Sequence, residues 1–315
     1  MKVKILLLSI VVILSIISSQ VVSQDIYDGM KTENMHEGGL TTNYYFFSRN
    51  KKNNSKTLFV FLEGSGKSSV LGKKHNDQWQ FASLTYLLNQ YLDTTIDILV
   101  PERINLDSGH EYKNIQNYSV DNAENKIALY SKLIDQFINQ NPNYKSIFIM
   151  GYSEGGIILP KIVLNLQNKH KVSGIILVAS GGLSFYENLK IQQQSTLLFT
   201  KPYRESLNNM DQSVKSILKN PLSRELTYFG WPYLKWSQIL MYKPVTDIKK
   251  LKMPILILHG DADKNIPIES SRALVDAIYT QKKYTYIEYR NADHYFNGDF
   301  QKVIQDISAW IFTNP

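Results

Sequence analysis

Ser153 stands in Gly151-Tyr152-Ser153-Glu154-Gly155, which fits G-x-S-x-G. A serine hydroxyl attacks usefully only when a base takes its proton, and that base needs a carboxylate to orient it. Both partners occur later in the chain, each just beyond an apolar run. His294 lies in Asn291-Ala-Asp-His-Tyr-Phe296, and Asp261 and Asp263 lie in Leu258-His-Gly-Asp-Ala-Asp-Lys-Asn-Ile-Pro267. Serine, then acid, then histidine is the chain order expected when the serine sits on a strand-to-helix turn. The chemistry these residue types support is acyl transfer through a covalent intermediate. The chain has no cysteine, which excludes thiol catalysis and disulfides.

The elements around these residues must be right for that chemistry. Ile147 to Met150 reads as a buried strand running into the Ser153 turn, and an apolar helical segment follows it. Glycines two residues either side of Ser153 let strand and helix close on the turn. The Glu154 amide, opening that helix, is placed to donate to a developing oxyanion. A second donor is expected on Phe59-Val-Phe-Leu-Glu-Gly-Ser-Gly66, at the Ser65 amide with Gly66 as the near alternative. Gly66-Lys67-Ser68 resembles the end of a phosphate-binding loop, but the first glycine of that motif would fall on Phe61, inside the strand. His294, on a loop after the last strand, is preferred as base over His259. The latter ends a strand before Gly260 and suits a packing role. Asp261 and Asp263 both remain open as the acid, while Asp293 adjoins the histidine and points elsewhere.

The wider pattern is α/β. Apolar β-rich runs occur at residues 44–47, 57–62, 96–100, 147–150, 174–179, 254–259 and 284–289. Helical periodicity falls between most of them. One helix carries Phe81, Leu84, Leu87, Leu88 and Leu92, and another Ile127, Tyr130, Ile134, Phe137 and Ile138. Two more carry Ala273 to Ile278 and Val303 to Ile311. The alternation implies a mostly parallel central sheet flanked by helices, with the first strands as an antiparallel hairpin at one edge. Residues 181–253 interrupt it with helical patches and no convincing strand, which suggests a helical lid inserted over a cleft. Its aromatics, Tyr228, Phe229, Trp231, Tyr233 and Trp236, suit an apolar substrate or a core of the insertion's own.

Lys2 and Lys4 precede an apolar run from Ile5 to Ile17, and small or polar residues follow. Residues 1–23 therefore read as a secretory signal peptide, ahead of a single domain from 24 to 315. The run is short for a membrane span, which needs about 20 apolar residues, so an uncleaved anchor is the lesser reading. The formal charge of +7 is scattered among acids, and no nucleic-acid module is present. Asn53 and Asn117 are glycosylation acceptors in a eukaryotic host. No cofactor or metal motif occurs, and the sequence sets no oligomeric state.

Gly151-Tyr-Ser-Glu-Gly-Gly156, Gly260-x-x-Asp263 followed by Ile266-Pro267, and Ala292-Asp-His294 resemble the motifs of the α/β-hydrolase superfamily. The likeness spans Tyr44 to the C-terminus and is similar to exported esterases and serine-aminopeptidase-like members. It implies the α/β-hydrolase fold with Ser153 as nucleophile, Asp263 rather than Asp261 as acid, His294 as base, and no cofactor. It implies a carboxylic ester as substrate, with a short peptide as the alternative. A secreted binding protein that keeps the fold without turnover is a third reading. Two departures bear on the substrate: Glu63-Gly64 where many relatives carry His-Gly, and Pro101-Glu-Arg-Ile-Asn-Leu-Asp-Ser-Gly109 in place of a glycine-rich stretch. Glu63, Tyr152, Phe229 and Trp231 are the candidate substrate-binding residues, and Glu102, Asp107 and Glu111 are further acids that a cationic amine would meet. Pro160 within the helix after Ser153 is expected to kink it, at about 3 kcal/mol.

Overall fold

The computed structural model describes residues 27, 29–49, 56–75, 78–79, 83–194, 200–280 and 283–314. The leader at 1–23, Asn53 and Phe81 lie outside these residues. In chain order the strands are β1 (Met30–Glu37), β2 (Leu40–Phe47), β3 (Thr57–Leu62), β4 (Lys74–His75), β5 (Gln78–Trp79), β6 (Ile96–Pro101), β7 (Ser146–Tyr152) and β8 (Val172–Val178). Then come β9 (Thr227–Tyr228), β10 (Trp231–Pro232), β11 (Ile255–Gly260) and β12 (Tyr284–Tyr289). The helices are α1 (Leu84–Tyr91), α2 (Ile115–Ser119), α3 (Ala123–Gln140), α4 (Glu154–Asn165), α5 (Phe185–Gln194) and α6 (Lys201–Asn208). The rest are α7 (Met210–Lys219), α8 (Tyr233–Ile239), α9 (Pro244–Ile248), α10 (Ile268–Ile278) and α11 (Phe300–Thr313).

Eight strands form the central sheet in the order β1-β2-β6-β3-β7-β8-β11-β12. Pairing is parallel from β6 to β12 and antiparallel at β1–β2 and β2–β6. The edge hairpin therefore differs from the expected one. Its partners are β1 and β2, while β3 lies inside the sheet between β6 and β7. The sequence of β1, Met-Lys-Thr-Glu-Asn-Met-His-Glu, is polar and mostly exposed, so it carries no apolar period to reveal it. An edge strand rich in charge is also protected against pairing with another chain.

The buried strands divide their side chains between two cores, as the period of two requires. Phe59, Phe61, Phe148 and Met150 face a core shared with Leu88 of α1 and Val303, Ile307 and Ile311 of α11. Leu58, Val60, Leu62, Ile147 and Ile149 face the other, against Ile134 of α3, Ile162 of α4 and Leu274 of α10. α4 runs from Glu154 to Asn165 with Pro160 inside it, and nothing in the structure explains the proline.

Between β8 and β11 the chain builds a cap from α5 to α9, with a two-strand ladder, β9–β10, that the sequence did not reveal. The ladder is two residues a side, too short for any periodic signal. The cap has a core of its own, including Leu189, Leu207, Met210, Val214, Ile217, Tyr228 and Trp236.

Candidate active site

The site forms at the carboxyl ends of β7, β8, β11 and β12. Tyr152, Val178 and Leu258 lie side by side there, and Gly260 pairs with Tyr289. Ser153 follows β7 with φ 51° and ψ −119°, a conformation that a residue with a side chain rarely adopts. Such strain costs of order 1–3 kcal/mol and persists only where the surroundings enforce it. Here the Ser153 amide donates to the Val178 carbonyl at 3.0 Å, and the Ile157 amide closes the first turn of α4 on the Ser153 carbonyl at 3.1 Å. Gly155 allows the tight approach, since a Cβ there would meet the Leu62 carbonyl oxygen at 2.2 Å.

His294 Nε2 lies 3.1 Å from Ser153 Oγ, and His294 Nδ1 lies 2.7 Å from Asp263 Oδ2. The three residues stand 31 and 141 positions apart in the chain and meet through the sheet. Gly260 lets their loops touch, because a Cβ on it would sit 2.2 Å from the Ala292 carbonyl oxygen. Burial alone would raise the Asp263 carboxyl, but the charges and hydrogen bonds of His294 and His259 overcome it and hold the group below the usual carboxylate range. Asp261 accepts from the Asn291 amide at 2.6 Å, and Asp293 from the Tyr295 and Asn297 amides at 2.9 and 2.8 Å. Both serve turns. His259 is no mere packing residue: it is fully buried and its Nε2 lies 3.1 Å from Asp263 Oδ2. A hydrogen bond four residues along a loop depends on the loop's path, which periodicity does not describe.

Tyr152, a candidate substrate contact, lies beneath the surface of the site. It is buried, packs its ring 5.3 Å from that of His294, and donates its hydroxyl to the His294 carbonyl at 2.9 Å. Its place is beneath the histidine loop, because residue 152 points to the opposite face from its neighbour on the strand.

The Glu63–Gly66 loop passes directly over the serine, with a Cβ on Gly64 falling 3.1 Å from Ser153 Cβ. Among the described residues, the Ser65 and Glu154 amides have no protein acceptor. Two residues after β6 hold this loop. Arg103 donates to the Gly64 carbonyl at 2.8 Å and the Ser68 carbonyl at 2.6 Å. Glu102 accepts from Tyr45 Oη at 2.9 Å, Ser69 Oγ at 2.5 Å and the Val70 amide at 3.0 Å. Glu102 is thus buried in the scaffold and is not an acid awaiting an amine, whereas Asp107 and Glu111 are exposed. Glu63 is half-buried at the mouth of the loop, and burial pushes its carboxyl upward against the opposing charge of Arg103 and the Gly64 amide.

A buried ionic cluster lies behind the turn. Lys126 Nζ is 2.9 Å from Asp121 Oδ2 and 3.2 Å from Glu154 Oε1. Lys235, from the cap, reaches the same two acids at 3.4 and 3.8 Å and stacks over the ring of Tyr118 at 4.3 Å. Burial raises the Asp121 carboxyl, but Lys126, Lys235 and Arg103 more than offset that and hold it low. No local spacing in the sequence points to this cluster. Phe229 also departs from its expected place: it stacks on Tyr203 at 4.6 Å, within the cap's own aromatic group. Trp231 packs 5.1 Å from Trp236 and bridges cap and body, beside Lys235. Among the described residues no group of three or more His, Asp or Glu side chains is arranged to hold a metal ion.

The sequence profile of the family described as serine aminopeptidase, S33, matches residues 108–300, more than half of the chain. The chain belongs to that family. The matched stretch of the S33 family holds Ser153, Asp263 and His294 but begins after the Glu63–Gly66 loop. A monoacylglycerol lipase of Mycolicibacterium smegmatis is 34% identical over 65 residues, which are 20% of this chain and only 23% of the length of that relative. Est1E from Butyrivibrio proteoclasticus, solved with ferulic acid bound, superposes with a TM-score of 0.59 at 12% identity. That match covers 90% of this chain and 98% of the other. The acylaminoacyl peptidase of Pyrococcus horikoshii gives a TM-score of 0.57 at 12% identity, over 89% of this chain and 40% of the peptidase. The fold is that of the α/β hydrolases.

Proposed function

We propose that this S33-family chain is an exported serine hydrolase that cleaves a carboxylic ester through an acyl-enzyme. The reading is carried by one observation, the contact of Ser153 Oγ with His294 Nε2 at 3.1 Å while His294 Nδ1 engages Asp263 at 2.7 Å. In the proposed reaction His294 Nε2 takes the hydroxyl proton as Ser153 Oγ attacks the acyl carbonyl. Asp263 fixes the tautomer and stabilises the imidazolium that forms. The carbonyl oxygen becomes an oxyanion opposite the Glu154 and Ser65 amides, and each such donor is worth about 100- to 1,000-fold in rate. As the tetrahedral carbon collapses, the C–O bond to the alcohol breaks and His294 gives that oxygen its proton. Water then attacks the acyl-serine with His294 again as base, releasing the acid and restoring Ser153.

An ester is favoured over an amino-terminal peptide because the acids near the site are already engaged. Glu154 faces Lys126 and Lys235, and Glu102 is buried among four donors. Glu63 is the acid beside the loop over Ser153, and its burial disfavours the charged form that would bind an ammonium group. Residues 1–23 would supply the export signal.

Ser153→Ala is expected to abolish labelling by a fluorophosphonate probe and hydrolysis of an aryl butyrate. Activity surviving in that variant would end the proposal. An aminoacyl anilide hydrolysed faster than the butyrate would move the substrate to peptides. N-terminal sequencing of the protein recovered outside an expressing cell is expected to begin near Gln24, and an intact Met1 would refute cleavage.

A further inference from the structure

We infer that His259 is a positioning residue for the same reaction, holding Asp263 so that one carboxylate oxygen stays aimed at His294. The inference rests on the acyl-transfer reading above and adds a fourth side chain to it. Asp263 Oδ1 takes the amides of Asn265 at 2.7 Å and Ile266 at 2.9 Å. Those bonds anchor one oxygen of the carboxylate. Because the carboxylate is planar, a turn about its broad terminal torsion would move both oxygens together, so a donor on the second oxygen adds to the hold on the first. Oδ2, the oxygen that meets His294, is the one His259 Nε2 reaches at 3.1 Å.

The hydrogen on that bond follows from its surroundings. His259 Nε2 faces only acceptors, Asp263 Oδ2 and the Ile266 carbonyl at 2.9 Å, so this nitrogen carries a hydrogen and donates it. On the other side, Nδ1 accepts from the Ser271 hydroxyl, whose oxygen also lies 2.8 Å from the Ser180 carbonyl. The imidazole is therefore pinned by β11, by α10 and by the residue that leads from β8 into the cap. A histidine kept only for its volume would need none of these partners.

The test compares the purified wild-type protein with His259→Leu and His259→Gln. Glutamine restores an N–H donor near the position of Nε2, and leucine does not. His259→Leu is expected to lower kcat for an aryl butyrate by about a hundredfold with KM changed by less than about twofold, the cost of a slightly misplaced catalytic group. His259→Gln is expected to recover most of that loss. The far-downfield proton resonance of the His294–Asp263 hydrogen bond should shift in the leucine variant and return towards its wild-type position in the glutamine variant. Wild-type kcat and an unmoved resonance in His259→Leu would overturn the inference, as would a glutamine variant no better than leucine.

If leucine prevents folding, Ser271→Ala removes the support of Nδ1 with the imidazole in place. It should lower kcat about tenfold at constant KM, and no change in kcat or resonance would overturn the inference. The resonance needs no turnover. A wild type that the fluorophosphonate does not label would sink the acyl-transfer reading, while the resonance still decides what His259 does to Asp263.

Discussion

Glu63 is the residue whose charge most directly opposes the chemistry proposed for this site. It stands one position before the loop glycine that overlies Ser153, and burial pushes its carboxyl up from the ordinary glutamate range near 4.3. Below its folded pKa it is neutral. Above it, a carboxylate faces the region where negative charge builds on the substrate oxygen. The ratio of kcat/KM for Glu63→Gln to that for wild type is therefore expected to rise with pH through the titration of Glu63 and then level off. Rates on a neutral ester between about pH 5 and 9 measure it, and a flat ratio would show that the carboxylate is turned from the oxyanion.

At the scale of elements, the body and the cap are joined by charge. Lys235 of α8 is buried against Asp121, which precedes α3, and Glu154, which opens α4. Taking ions out of water is costly, and breaking a lone buried pair costs about 3–5 kcal/mol, which is a ceiling here because Lys126 still faces both acids. Lys235→Met is thus expected to lower stability in urea measurably but by no more than that amount. Lys132→Met, which breaks the exposed pair with Glu37, should leave the midpoint unchanged. Equal effects of the two substitutions would mean that the buried cluster contributes no more than a surface pair. The helix α5 adds a second tie, since Gln192 donates to the carbonyls of Lys264 at 2.7 Å and Asn265 at 2.9 Å, on the loop that carries Asp263.

For the whole molecule, four acids shifted by their surroundings set the response to pH, and they pull in two directions. Asp121 and Asp263 are held below the usual aspartate value of about 3.9, so the stability they confer is complete above that value and is lost as pH falls below it. Glu63 and Glu102 are raised by burial above the glutamate value of about 4.3, so ionising them costs stability and that cost lifts as pH falls through their folded pKa values. As pH is lowered from about 8, the urea midpoint is therefore expected to rise through the folded pKa values of Glu63 and Glu102 and to collapse below about pH 4. Equilibrium unfolding across that range tests it. A midpoint that falls steadily from pH 8 to 5 would show that the two glutamates are not destabilised by burial.

The chain order of Ser153, Asp263 and His294, and the alternation of strand and helix that carries them, were legible in the sequence. The alternation and the glycine-flanked Ser153 turn are written by near neighbours, whereas Asp263 rather than Asp261 was implied by the resemblance to the α/β hydrolases. The polar edge strand β1, the role of Tyr152 beneath the histidine loop, the hold of His259 on Asp263 and the ionic cluster around Asp121 were not. Each depends on where the backbone brings side chains from separate elements, and no local spacing records that path. Pairs as distant as Lys235 and Asp121 become neighbours only when the cap seats on the sheet, which is a property of the packed molecule.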